Sequence, residues 1–91
     1  MFEKGKKKGS VRFAIRPSNG ISKVEVAGDF TGWLPKPLRK SKDGAYSANI
    51  DLTAGTYEYK FLLNGQWVVD PDNGAWAANS YGTVNSIAQV S

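Results

Sequence analysis

The dipeptide Asn64-Gly65 restricts the fold of this chain more than any other feature of the sequence. It joins two segments with alternating side chains, 57–63 and 66–69, and a two-residue Asn-Gly loop favours a type I′ turn between adjacent antiparallel strands. Such a turn also determines which residues of the two strands lie opposite each other. In this hairpin it places Leu62 opposite Trp67. The sequence therefore predicts a β-hairpin with a defined register.

The register assigns the side chains of the hairpin to two faces. Tyr59, Phe61 and Val68 share one face, because directly opposed residues lie on the same side of a sheet, and this face is the predicted core. Trp67 lies on the other face, diagonal to Lys60. A large aromatic ring and a cation are thus expected together outside the core. The alternative is a small structural cluster, in which Trp67 only covers apolar neighbours and the lysine stem lies across its ring.

Short alternating segments separated by turn residues recur along the rest of the chain. Further strands are predicted over residues 11–15, 24–26, 46–50 and 83–90, the last with a bulge because its apolar residues are spaced by three. A helical period persists nowhere for even ten residues. Strands at intervals of about 8–12 residues are typical of sandwiches and barrels. We predict an all-β, antiparallel fold.

The residue types that are absent exclude several kinds of chemistry. The chain has 91 residues with no Cys and no His, a length that suits one domain burying roughly 60% of its unfolded surface. Disulfides, thiolate nucleophiles and zinc–cysteine sites are therefore excluded. A nucleophile–base pair or a metal-ligating cluster is not visible either, so we expect no catalytic residues, no metal and no cofactor. The lack of Cys fits a cytoplasmic protein.

The positive charge is concentrated at the beginning of the chain. Of the net +4, residues 1–9 contribute +3 through four lysines and one glutamate, and the remaining 82 residues contribute +1. We predict a disordered Lys-rich leader over residues 1–9 and a single β-sandwich domain over residues 10–91. An apolar segment typical of a signal peptide or a membrane span is not found, so no membrane partner is expected.

Aromatic and neutral polar side chains are predicted on one surface of this domain. In the loop 28–33, Phe30 is expected to fill the core and Trp33 to point outward. Thr83 and Asn85 share one face of the last strand. Rings beside neutral hydrogen-bonding groups suit pyranose sugars, which have apolar faces and a polar rim. Nucleobases stack in a similar way, but the near-neutral domain lacks the positive groove of a nucleic-acid binder, so no nucleic acid is expected.

Four segments in order resemble carbohydrate-binding module family 48, which includes the glycogen-binding domain of the AMP-activated protein kinase β subunit and the N-terminal domains of glycogen branching and debranching enzymes. The segments are VEVAGDFTGW (24–33), GTYEYKF (55–61), NGQWVVDPD (64–72) and GTVNSI (82–87). The resemblance covers about residues 10–91. It implies an immunoglobulin-like β-sandwich of the early-set type. It also implies non-catalytic binding of α-1,4-linked glucans such as glycogen, starch or malto-oligosaccharides.

The resemblance assigns roles to individual residues. The carbohydrate-binding residues are expected to be Trp33, Lys60, Trp67, Tyr81, Thr83 and Asn85. Trp33 and Trp67 would stack on successive glucose units, and Lys60 and Asn85 would hydrogen-bond hydroxyl groups. Thr83 would line the floor of the site. Tyr81 stands where the kinase-subunit domain has a bulky aliphatic residue that inserts into curved glucans.

The sequence also bears on the partner, on an alternative function and on two further segments. Members of the carbohydrate-binding family usually occur together with a catalytic or kinase-associated region. We therefore expect a catalytic or kinase-associated protein as a partner. A protein-interaction or scaffold domain with the same fold and a lost sugar site is the alternative function. The segment 70–74 is interpreted as a turn rather than a calcium site. Trp76, in a loop rich in Ala and Asn, either extends the aromatic surface or covers the edge of the sandwich.

Overall fold

The computed structural model describes residues 1–5 and 9–90, and within them it consists of ten β-strands and one short 3-10 turn. The strands are β1 (Phe2–Lys4), β2 (Ser10–Ile15), β3 (Val24–Gly28), β4 (Lys36–Pro37), β5 (Arg39–Lys40), β6 (Tyr46–Asp51), β7 (Gly55–Leu63), β8 (Gln66–Val68), β9 (Trp76–Ala78) and β10 (Val84–Val90). The 3-10 turn spans Asp29–Thr31. In this part of the chain the structure has no helix of the length and hydropathy needed to cross a bilayer.

The strands form two sheets in which each observed pair is antiparallel. One sheet has four strands in the order β1-β2-β6-β5, and the other has six, in the order β4-β3-β7-β10-β9, with β8 paired to β7. Aromatic and branched side chains of both sheets contribute to one core, as expected for a β-sandwich. The predicted all-β antiparallel sandwich is confirmed.

The predicted hairpin has the expected turn and register. Asn64 and Gly65 both have positive φ, 50° and 84°, as a type I′ turn requires. Leu62 lies opposite Trp67. The Asn64 side chain also holds the loop before β3, because its Oδ1 accepts from the Lys23 backbone N–H at 3.0 Å and its Nδ2 donates to the Gly20 carbonyl. The Asn64 side chain therefore connects the hairpin turn to the loop that precedes β3.

The core consists of the inward-facing side chains that alternate along β2, β3 and β7. Phe13, Val26, Tyr59 and Phe61 are fully buried. The Phe13 ring lies 5.0 Å from the Tyr59 ring and stacks on Phe30 at 4.9 Å. Phe30 belongs to the loop that follows β3, so this stack anchors the loop to the core, as its sequence predicted.

The last strand is regular, and the predicted bulge is wrong. Successive residues of β10 from Ser86 to Val90 pair with successive residues of β7 without interruption. The apolar spacing was misleading because Ser86 is one of the inward-facing residues. Its hydroxyl is buried and accepts the Asp70 backbone N–H at 2.8 Å, which satisfies its polarity inside the sandwich.

The predicted disorder of the leader is wrong for its first residues. Phe2–Lys4 forms β1, which pairs with β2 and places Phe2 opposite Phe13. Phe2 packs against the core, and the Arg12 guanidinium donates to Glu3 at 2.8 Å. The segment is rich in lysine, which predicted disorder, but burial of the Phe2 ring against the core stabilises a strand there. Lys6, Lys7 and Lys8 lie outside the described residues.

Asp70 and its turn have a structural role. The Tyr59 hydroxyl donates to Asp70 Oδ2 at 2.6 Å and accepts from the side-chain amide of Asn73 at 3.0 Å. The Asp72 backbone N–H donates to Asp70 Oδ1 at 2.9 Å, which is the turn chemistry predicted for this segment. Within residues 1–5 and 9–90, no group of three or more acidic, His or Cys side chains is arranged to hold a metal.

The stability of the protein should fall in alkaline solution because of Tyr59. Burial, with the neighbouring Asp70 carboxylate, raises the pKa of Tyr59 above its ordinary value. Above pH ~10 the unfolded chain releases this proton and the folded chain keeps it, so the contribution of Tyr59 to the free energy of unfolding decreases with rising pH and is constant below that range. Tyr59→Phe should lower stability by about 1–3 kcal/mol at neutral pH, by removing a donor to a buried carboxylate, but show a shallower alkaline decline. Urea unfolding at neutral pH and at about pH 11 measures both effects, and an identical decline in the two proteins would contradict this assignment.

Candidate binding site

A shallow depression of about 700 Å³ lies on the outer face of the six-stranded sheet. Its lining contains every residue that the sequence placed in the site, together with three that it did not. The lining residues are Asp29, Trp33, Glu58, Lys60, Trp67, Asn79, Tyr81, Thr83 and Asn85. The structure therefore brings the six predicted residues to one surface. Their individual roles stay predictions.

The strands position one half of this lining by simple alternation. Along β7, Tyr59 points into the core, so its neighbours Glu58 and Lys60 point outward. Trp67 of β8 lies on the same outer face and is 51% exposed. Asn85 of β10 precedes the inward-facing Ser86 and therefore also belongs to the outer face.

The loop after β3 positions Trp33. The Thr31 hydroxyl accepts the Gly28 N–H at 3.0 Å and donates to the Gly28 carbonyl at 3.1 Å, so its side chain stabilises the turn. Gly32 and Trp33 follow with φ of 63° and 64°, and the Trp33 N–H closes the loop on the Gly28 carbonyl at 2.9 Å. The resulting tight turn directs the Trp33 side chain toward β8.

The two indole rings face the depression together. Their centroids are 6.3 Å apart and their planes are inclined by 55°. Trp33 is half-buried and Trp67 half-exposed, so each ring is partly in contact with protein and partly free. The pair forms an angled apolar surface.

A chain of hydrogen bonds forms the polar part of the depression. Lys60 Nζ donates to Thr83 Oγ1 at 3.2 Å, and the Asn79 amide donates to Thr83 Oγ1 at 2.7 Å and to Asn85 Oδ1 at 3.1 Å. The Asn85 amide in turn donates to Glu58 Oε1 at 3.0 Å. Because these side chains hold one another, their polar atoms have defined positions before any ligand arrives.

Sequence comparison places this chain in a family. Residues 11–91 match the family described as the glycogen recognition site of AMP-activated protein kinase. The chain belongs to this family. The resemblance predicted from the four sequence segments is therefore confirmed, and the chain is a module of the carbohydrate-binding type.

Relatives of the module include subunits of that kinase. It is 39% identical over 76 residues to the β-1 subunit of 5'-AMP-activated protein kinase from Sus scrofa, covering 84% of this chain and 61% of the relative. It is 37% identical to the human β-1 subunit and 39% identical to the mouse β-2 subunit, covering 27% and 28% of those proteins. The module thus spans less than two thirds of the length of these relatives.

Solved structures with the same fold include parts of amylases. A maltogenic amylase from S. marinus superimposes with a TM-score of 0.74 at 23% identity, over 90% of this chain and 13% of the amylase. A putative α-amylase from Salmonella typhimurium gives a TM-score of 0.69, also at 23% identity, over 94% of this chain and 14% of that protein. These similarities support the early-set sandwich fold of the module.

Sequence reasoning missed Asn79, which organises the loop before β10. Asn79 Oδ1 accepts the N–H groups of Tyr81 at 2.9 Å and Thr83 at 3.2 Å, and the Gly82 N–H donates to the Asn79 carbonyl. Tyr81 at the tip is 90% exposed. Asn followed three residues later by Gly is the pattern of a type I turn, so a local signal was present.

Glu58 and Asp29 were also not predicted as part of the lining. Glu58 Oε1 accepts a hydrogen bond from the Asn85 side-chain amide. Asp29 accepts the Trp33 indole N–H and the Glu58 backbone N–H. The bonds from Asn85 to Glu58 and from the Glu58 backbone to Asp29 join segments that are distant along the chain, so the sequence gives no signal for them. The bond between Asp29 and Trp33 lies within one loop and spans four residues.

Trp76 lies on the other side of the sheet from this depression. It belongs to β9 and is paired with Ser86, whose side chain faces the core. Opposed residues share a face, so Trp76 points away from the side that carries Trp67. It is 63% exposed at the edge of the sandwich. The loop predicted around it is in fact a short strand.

Proposed function

We propose that the module binds α-1,4-linked glucans without catalysing a reaction on them. Trp33 and Trp67 stack on neighbouring glucose units, and Lys60, Thr83 and Asn85 form hydrogen bonds with their hydroxyl groups. Tyr81 adds an apolar contact from the loop tip. The observation that carries the proposal is the pair of indole rings, 6.3 Å apart and inclined by 55°, in one depression.

The inclination of the rings favours a curved ligand. A β-1,4-linked glucan is a flat ribbon, so two rings inclined by 55° cannot both lie parallel to its sugar faces. An α-1,4-linked chain curls, and its successive glucose units turn their faces through an angle. Such a chain satisfies both rings at once.

The polar groups of the depression match a neutral ligand. Lys60 uses one of its three donors on Thr83 and keeps the others for hydroxyl oxygens. Asn85, although only 7% exposed, keeps a second lone pair on Oδ1 and a second amide proton. Asp29 and Glu58 outnumber the Lys60 cation among the lining residues, which disfavours a polyanion such as a nucleic acid.

The expected affinity is modest. Stacking contributes ~1–3 kcal/mol per ring by analogy with nucleobases, hence roughly 2–6 kcal/mol for two rings. With a few hydrogen bonds, the dissociation constant for a short oligosaccharide should lie between about millimolar and micromolar. Such binding becomes effective through many sites on a polymer or through attachment to a second protein. We therefore include a catalytic or kinase-associated partner protein in the proposal.

Titration of tryptophan fluorescence with maltoheptaose and cellohexaose tests the proposed function. Maltoheptaose should give a saturable change because both rings line the site, and cellohexaose should give none because it is flat. An equal response to the two sugars would overturn the proposed preference for curved chains. If neither sugar changes the fluorescence, a protein-interaction domain with this fold becomes the better explanation.

Incubation with soluble starch should produce no new reducing ends, and their appearance would contradict the non-catalytic assignment.

A further inference from the structure

Asp29 is a carboxylate in the depression that the stacking mechanism does not use. Its Oδ1 accepts the indole N–H of Trp33 at 3.1 Å, and its Oδ2 accepts the backbone N–H of Glu58 at 2.8 Å. One side chain therefore connects the ring of a loop residue to the backbone of the central strand β7. Trp67 is fixed to the same strand through β8. Asp29 thus relates the positions of the two rings.

The Trp33 ring requires such a connection. Trp33 has a positive φ of 64°, which is uncommon for a bulky residue, and it lies in a loop rather than in a strand. Its backbone is held by the Gly28 carbonyl, but this contact leaves both side-chain torsions free. The hydrogen bond at Nε1 restrains the far end of the ring.

We propose that Asp29 is a positioning residue that holds the Trp33 ring at its angle to Trp67 and so prepares the site for its ligand. This proposal rests on the proposed binding of glucans. Asp29 does not contact the sugar in this mechanism. It raises affinity because a ring that is already held loses less conformational freedom when the glucose unit stacks on it.

The chemistry of the two bonds requires a carboxylate. Both partners of Asp29 are N–H donors, so two acceptor oxygens are needed. An amide offers one acceptor and one donor, so Asp29→Asn turns an NH₂ group toward one of the two N–H groups. This variant keeps the size of the side chain and breaks one half of the connection. Asp29→Glu keeps both oxygens on a stem that is longer by one methylene group.

The state of the Trp33 indole can be observed in the unmodified protein. A ¹H–¹⁵N spectrum of this chain contains three indole N–H signals, one for each tryptophan, and Trp33→Phe assigns the signal of Trp33. Within residues 1–5 and 9–90, no hydrogen bond is found for the indole nitrogens of Trp67 and Trp76, which are about half-exposed or more. The Trp33 signal should therefore exchange with water more slowly than the other two.

The experiment combines this exchange rate with maltoheptaose titration. Asp29→Asn should remove the slow exchange of the Trp33 indole and weaken maltoheptaose binding by about two- to tenfold. Asp29→Glu should restore part of both. Asp72→Asn, which makes the same charge change on an exposed aspartate outside the depression, should alter neither.

The possible results separate this proposal from the proposed function. Fast exchange of the Trp33 indole in the unmodified protein, or full maltoheptaose affinity in a folded Asp29→Asn variant, would overturn the positioning role. If Asp29→Asn does not fold, the exchange rate in the unmodified protein decides. If the unmodified protein does not bind maltoheptaose, glucan binding is wrong, and the role of Asp29 as a ring anchor is still decided by whether slow exchange is lost in Asp29→Asn.

Discussion

Replacement of both Trp33 and Trp67 by Ala should abolish measurable binding of maltoheptaose. The two rings are the main apolar surface of the depression, and their loss removes roughly 2–6 kcal/mol of stacking, a weakening of about 30-fold to more than 10⁴-fold. Each single replacement should weaken binding by about 5- to 150-fold. Isothermal titration with maltoheptaose measures the three variants against the unmodified protein.

Trp76→Ala is the matched control for these variants. It removes the same side chain from a position that is 63% exposed, but on the opposite side of the sheet. Binding should be unchanged in this variant. Circular dichroism must show that the double variant is folded. A folded double variant that still binds, or a Trp76→Ala variant that does not, would contradict the proposed location of the site.

Replacement of Phe13 by Ala should lower the free energy of unfolding by about 3–5 kcal/mol. Phe13 is fully buried, and its ring contacts Phe2, Phe30 and Tyr59 at centroid distances of 6.3, 4.9 and 5.0 Å. Its removal leaves a cavity between the two sheets that the neighbouring rings cannot fill without leaving their positions. For a domain with a total stability of about 5–15 kcal/mol, this loss is a large fraction.

Urea unfolding measures the loss of stability in Phe13→Ala. The midpoint urea concentration should fall while the dependence of the free energy of unfolding on urea stays unchanged. Leu34→Ala is the control, because Leu34 is 71% exposed and its truncation should change stability by less than about 0.5 kcal/mol. A cost below about 1 kcal/mol for Phe13→Ala would contradict the position of Phe13 at the centre of the core.

Local patterns predicted the central hairpin because its determinants are adjacent in sequence. The type I′ turn at Asn64-Gly65 and the alternation along β7 are properties of short segments, and together they decide which side chains share a face. Turn register and alternation alone place Lys60 and Trp67 on the outer face. Prediction from local patterns failed where a polar residue is buried or where an apolar residue lies in a charged segment. Ser86 faces the core in place of an apolar residue, and Phe2 is buried within a segment rich in lysine.

The remaining parts of the site depend on contacts between distant segments. The bonds from Asp29 to the Glu58 backbone and from Asn85 to the Glu58 side chain become possible only after the strands have paired. Family resemblance named Trp33 and Asn85, but not the side chains that hold them. A hydrogen bond between remote residues leaves no periodic signal, so sequence alone does not reveal it.

The sequence by itself determined the antiparallel sheet, the division of its faces and the chemical character of the exposed face, because period-two alternation and turn geometry are local properties. Only the tertiary structure decided the 55° angle between the indole rings, the ordering of β1 and the orientation of Trp76 away from the depression. These features follow from how loops and edge strands pack on the completed sandwich, and packing between distant segments is a property of the whole chain.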